Sequence, residues 1–176
     1  DASDLPFPNL SSVCTDDRQA ARCAMDAMVA MGHRKFAIVG GDREKSEISR
    51  LRYEGCMDSL RRNGIGFDEA RGYRGVRFSC QAGFDATQQM IAEGYPFTAL
   101  FAVSDVMAIG AIRALYNNGL RVPEDVSVMG FDGIPMGSFL VPQLSTVIQS
   151  VKEMALRSVE LLIDRMEHGG EAKHEW

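Results

Sequence analysis

Asp132 closes the apolar run Val126–Phe131 and stands directly before Gly133. A carboxylate there either caps the backbone N–H groups of a turn or accepts two hydrogen bonds from neighbouring ligand hydroxyls. A sugar or a ribose offers such a pair. Ser104 closes a second apolar run, Thr98–Val103, and opens the helical pattern VMAIGAIRAL. Its side chain suits a helix N-cap, and it also points to the strand edge. Asp105 reads as a first-turn charge that complements the helix dipole. Arg52 lies in the helical stretch Ser49–Asn63 with Arg50, Arg61 and Arg62. A cluster of this kind is ordinarily a solvated basic face, although a guanidinium fork can span two ligand oxygens where lysine cannot. Phe78, in the loop Gly75–Phe78, is either core or a platform for the apolar face of a sugar or base.

Binding, not catalysis, is what these residue types support. Gly40-Gly41 follows a strand but lacks both nucleotide-loop fingerprints, and no GxSxG elbow occurs. His33, His168 and His174 form no helical pair, and His33 after Gly32 reads as the residue that satisfies helix-end carbonyls. Cys14, Cys23, Cys56 and Cys80 show no CxxC spacing, so they read as reduced structural thiols. Neither a metal, a cofactor nor an enzyme activity is expected. The net charge of −5 argues against this segment gripping nucleic acid itself. No apolar run approaches the ~20 residues of a membrane span.

The elements that must position these side chains alternate along the chain. Helical periodicity covers Asp17–Met31, Ser49–Asn63, Ser79–Glu93, Asp105–Asn118 and Val151–Glu167. Strands are predicted at Lys35–Gly40, Ala70–Tyr73, Thr98–Val103, Val126–Phe131 and Ser145–Ile148. Such alternation predicts an α/β fold, a doubly wound parallel sheet with helices on both faces. Met107, Ile109, Ile112 and Leu115 fall near one face of their helix. In open sheets of this kind ligands bind at the carboxyl ends of the strands, where Ser104, Asp105 and Asp132 all lie.

Several segments also resemble a known family in consistent order and spacing. They are SDVMAIGAIRAL, the block G-L-R-V-P-E-D-V-S-V-x-G-F-D, P-Q-L-S-T-V, Val13 to Asp17 (V-x-x-D-N in the family), Gly32 to Gly41 (GHRxIAxIGG) and Arg52 to Gly55 (R-x-x-G). Together they resemble the effector-binding part of the lactose/galactose repressor (LacI/GalR) family, over about Leu5 to Arg165. That resemblance implies a periplasmic-binding-protein-like fold of two similar lobes joined by three crossing segments. Residues 1–34 would then be a linker and helix of the N-terminal lobe, 35–143 the C-terminal lobe, and 144–176 a crossing strand and helix returning to the N-terminal lobe. The resemblance further implies effector contacts at Arg52, Asp132, Phe78, Ser104, Asp16 and Gln149, and a homodimer contact through Ile109, Ile112 and Leu140. The partners it implies are a small-molecule effector, a second copy, and operator DNA reached through a headpiece absent from this chain. The implied function is effector binding, of a sugar or related polyhydroxyl molecule, in a cytoplasmic transcription regulator. The alternative is a periplasmic sugar-binding protein of a transport system. Cysteine usage and the R-V-P-E-D-V-S-V-x-G-F-D block favour the regulator.

Overall fold

The computed structural model describes residues 10–169 and 172–175. Its elements run β1 (Ser12–Val13), α1 (Asp17–Ala30), β2 (Phe36–Gly40), α2 (Glu47–Arg62), α3 (Glu69–Gly72), β3 (Tyr73–Gly75) and α4 (Cys80–Ala92). They continue with β4 (Ala99–Ala102), α5 (Asp105–Asn117), β5 (Ser127–Asp132), a 3-10 turn (Pro135–Phe139), β6 (Ser145–Ile148), α6 (Val151–His168) and β7 (His174–Glu175).

A five-stranded sheet in the order β3-β2-β4-β5-β6 is parallel throughout. The chain moves outward one way from β2 to β3, then back across to β4 and on to β5. With right-handed crossovers, this places α2 on one face and α4 and α5 on the other, and the helices pack accordingly, α1 on α2 and α4 on α5. The sheet is therefore doubly wound. The reversal of strand order falls between β2 and β4, which makes their carboxyl ends the switch point where a crevice opens. β4, the middle strand, is buried along its whole length, as a strand covered on both faces must be. Ile38, Leu100, Phe101 and Phe131 from the sheet pack with Met25, Met28, Leu60, Met90, Met107 and Leu115 from the helices to form the core.

The two helix pairs approach closely through glycines. A Cβ on Gly110 of α5 would lie 1.9 Å from the carbonyl oxygen of Cys80, and one on Gly83 of α4 would lie 2.3 Å from that of Met107. Side chains at these positions would push α4 and α5 apart.

Three boundaries differ from the sequence reading. The strand expected at Ala70–Tyr73 is instead the short helix α3, capped by the Asp68 side chain on Arg71 N–H, with strand pairing only over Tyr73–Gly75. Helix α2 begins at Glu47 because Ser46 caps it. The chain divides into one compact unit over Asp17–Ile148 and another formed by the segment ending at Asp16 and the segment beginning at Gln149. Divisions at 34 and 143 do not match this: α1 packs on α2, and β6 is a strand of the main sheet. In the other unit β1 and β7 pair in parallel, and Arg157 holds Glu175 through two nitrogens at 2.6 and 2.8 Å.

His33 ends its helix as expected and does more besides. Its backbone N–H does reach the carbonyl of Met28, but the imidazole bridges the hydroxyls of Thr98 and Ser127 at 3.0 and 2.9 Å, at the amino ends of β4 and β5. Burial lowers its pKa from the usual 6.5. As pH falls, the unfolded chain therefore takes up the proton first. The stabilising effect is complete above about 6.5, erodes as pH falls from there to the lowered folded value, and then levels off. We expect urea midpoints of wild type and His33→Gln to diverge less at pH 5 than at pH 7.5. Parallel pH dependence in the two proteins would show that His33 contributes nothing.

Candidate functional site

At the carboxyl edge of the sheet, β4 ends and the chain turns through Val103 and Ser104 into α5. Facing it, α2 delivers Arg52, and β5 ends at Asp132. Arg52 is only 4% exposed. Its Nε donates to Asp17 Oδ1 at 2.7 Å, and its Nη1 donates to the Val103 carbonyl and to Asp132 Oδ1 at 3.2 Å. The guanidinium carbon lies 3.6 Å above the Phe131 ring. A buried cation requires charge partners and hydrogen bonds, and this one has both. The cluster thus joins α1, α2, β4 and β5 at one point. Arg50 and Arg61, by contrast, make pairs within their own helix, with Glu47, Glu54 and Asp58, as a solvated face does.

Asp132 has φ of 120°, a left-handed value that costs a non-glycine residue about 1–3 kcal/mol. Gly133 follows at φ 75°. The carboxylate is more exposed than its partners, with 29% of the side chain open to solvent. A ligand hydroxyl can therefore reach the group that Arg52 orients.

Ser104 lies at the N-cap of α5 and is almost fully buried, but its hydroxyl makes no capping bond. The expected side-chain cap is absent; the Ser104 carbonyl instead accepts from the N–H groups of Met107 and Ala108 in the first turn. Asp105 stands in the first turn of α5 as expected, but it also ties other elements together. It is fully buried, with Oδ2 accepting from Ile134 N–H at 2.8 Å and Oδ1 from the Thr146 hydroxyl at 2.5 Å. That carboxylate binds the turn after β5 and the strand β6 to α5. It also explains Gly130, where a Cβ would lie 2.2 Å from Asp105 Oδ1.

Phe78 is 45% exposed and lines an open depression of about 1030 Å³ together with Asp42, Lys45, Ser46, Arg77 and Ser79. Arg52 and Asp132 are not in its wall. The two places are neighbours through Gly41: a Cβ there would meet both the Phe78 ring and Ser49, which is three residues before Arg52 on α2. Asp16 and Gln149 fall in the smaller unit, where Gln149 Oε1 accepts from the Thr15 hydroxyl at 3.1 Å. Ile109 is half-buried, and Ile112 and Leu140 pack against the core, whereas Phe139 and Val141 beside them are 79% and 99% exposed.

Sequence reasoning missed Asp17, Phe131 and the Val103 carbonyl. The sequence reading named Asp16, whereas the packing of α1 against α2 brings its neighbour Asp17 to Arg52. Among the described residues no group of three or more His, Cys, Asp or Glu could hold a metal ion. The four cysteines are free thiols, with Cys23 and Cys80 exposed and Cys56 buried. No helix among the described residues is long and apolar enough to cross a membrane.

Comparison with known proteins agrees with this architecture. Residues 25–175 match the model of the periplasmic binding protein-like domain. The HTH-type transcriptional repressor CytR of Escherichia coli (strain K12) is 36% identical over 162 residues, which are 92% of this chain and 47% of the relative. The chain thus spans about half the length of the curated relatives it matches. A LacI-family transcriptional regulator from Enterococcus faecium, solved with bound ribose, superposes with a TM-score of 0.84 at 30% identity, covering 94% of this chain and 60% of that one. A dimeric Lac repressor superposes at 0.85 and 30% identity, covering 97% and 62%. These relatives are transcription regulators. By its fold and by a family match over most of its length, the chain belongs to the periplasmic binding protein-like domains of the LacI/GalR regulator type.

Proposed function

We propose that the chain is the effector-sensing part of a cytoplasmic, DNA-binding transcription regulator, and that a small polyhydroxyl molecule binds at the carboxyl edge of its sheet. The observation that carries this reading is the Arg52–Asp132 pair at the topological switch point, with Arg52 buried and Asp132 still open to solvent. Asp132 accepts two ligand hydroxyls, Arg52 holds that carboxylate in place, and Phe78 stacks on the apolar face of the sugar ring. Ser104 offers a hydroxyl that is not used in capping. The regulator reading is preferred to a periplasmic transport protein because the relatives are repressors and regulators.

Self-association belongs to the same reading. Two copies meet through α5 and the segment after β5, with Ile109, Ile112 and Leu140 beneath the contact and exposed Phe139 and Val141 as its apolar anchors. An exposed apolar patch of this kind marks an interaction surface, and paired subunits suit two-fold DNA sites.

The test uses the full-length protein and its operator DNA. A thermal-shift panel of pentoses, hexoses, disaccharides and nucleosides identifies the effector, and operator binding is then titrated with it. Asp132→Asn is expected to lose about 2–5 kcal/mol of effector binding, roughly thirtyfold or more in affinity. Operator affinity without effector stays at the wild-type value. A wild-type response in Asp132→Asn would remove this site from consideration. A full-length protein that binds no DNA, or that sediments as a monomer at micromolar concentration, would overturn the regulator or the dimer reading respectively.

A further inference from the structure

The loop between β2 and α2 is held by an arrangement that the sequence did not signal. Arg43 lies over two tyrosine rings, its guanidinium carbon 4.0 Å from the centre of Tyr53 and 4.5 Å from that of Tyr73. The two rings meet edge to face, with centres 5.0 Å apart. Glu69 of α3 closes the cluster, accepting from Arg43 Nη2 at 2.6 Å and from the Tyr53 hydroxyl at 2.7 Å. The Tyr73 hydroxyl donates to the carbonyl of Gly41, the first residue after β2. Gly40 has no room for a side chain because a Cβ would lie 2.6 Å from that same hydroxyl.

The rest of the loop is fixed by local bonds to Asp42 and not by contacts with the core. Asp42, Glu44 and Lys45 are exposed, and the Lys45–Asp42 pair at 2.9 Å is a surface ion pair, which contributes little by itself. A guanidinium stacked on aromatic faces while paired to a carboxylate is a stronger anchor, and one that lysine cannot copy. This matters because Asp42, Lys45 and Ser46 form one wall of the depression that contains Phe78. The same loop leads into α2, which carries Arg52.

We propose that Arg43 is a positioning residue: stacked over Tyr53 and Tyr73 and tied to Glu69, it sets the β2–α2 loop and thereby the wall of the Phe78 depression that a ligand would meet. That role for the depression rests on the effector reading above, but the clamp itself can be tested without any ligand.

The experiment is amide hydrogen exchange on the full-length protein. The amides to follow are Glu44, Lys45 and Ser46, each bonded to an oxygen of Asp42. In Arg43→Ala they should exchange about tenfold faster or more, as expected for a local opening, while those of Phe36–Gly40 stay unchanged. Arg43→Lys should lose most of the protection too, because it keeps the charge but not the stacked fork. Tyr53→Phe, which keeps the ring, should lose less than either. The proposal is overturned if the three amides in Arg43→Ala stay within about twofold of wild type. It is equally overturned if Arg43→Lys restores full protection, or if β2 accelerates to the same extent as the loop, which would mean general destabilisation. Failure here leaves the effector reading intact, and an unaltered effector response in Asp132→Asn leaves the clamp intact.

Discussion

Replacing Arg52 with alanine should lower the unfolding free energy by about 3–5 kcal/mol, the usual cost of breaking a buried ion pair from one side. The reason lies in what remains. Asp17 and Asp132 would face each other's charge with their cation gone, the Val103 carbonyl would lose its donor, and the Phe131 ring its cover. Urea denaturation of wild type, Arg52→Ala and the double variant Arg52→Ala/Asp17→Asn checks this. Neutralising Asp17 should recover part of the loss, since residues in contact do not act additively. A loss below about 1 kcal/mol in Arg52→Ala would mean that the cluster is not a structural keystone. The expectation has a practical side: an Arg52 variant that fails to respond to effector can fail for lack of fold. Asp132→Asn keeps the shape of the side chain and removes only its charge, so it reads the site more directly.

The second large effect is expected at Gly110. Helix propensity alone would favour alanine there by about 1 kcal/mol. Packing opposes it, because the new methyl group would sit 1.9 Å from the Cys80 carbonyl oxygen and 2.7 Å from Phe84 N. Both are backbone atoms that cannot rotate away, so α4 and α5 must separate. Overpacking of this kind costs about 1–3 kcal/mol and sometimes more, which outweighs the propensity gain. Gly110→Ala should therefore melt well below wild type. Gly66→Ala serves as the control, since a Cβ at Gly66 meets nothing within 4 Å. Wild-type or higher stability in Gly110→Ala would sink the argument.

The sheet was legible because apolar runs and helical periodicities are written in neighbouring residues. The five strands, their parallel pairing and the edge bearing Ser104 and Asp132 all follow from such local patterns. The exception, at residues 70–73, is instructive: a three-residue strand carries too little pattern to outweigh the cap from Asp68. The site was legible only as residue types. Nothing near Arg52 in sequence says that Asp17, 35 positions away, will neutralise it, or that Asp132, 80 positions away, will share its donor. Asp105 shows the same limit, since its partners Ile134 and Thr146 reach it only through the fold. His33 was legible only in part for a related reason: its backbone ends a helix as expected, while its ring serves two strands that begin far away in sequence.

Asp132 sits in a backbone conformation that glycine would adopt at far lower cost. Glycine there would relieve the backbone, but it would also take from the buried Arg52 one of the two carboxylates that neutralise it. Backbone relief and charge neutralisation thus oppose each other at position 132. Tolerance of glycine at 132 should therefore rise in any variant whose position 52 no longer carries a charge.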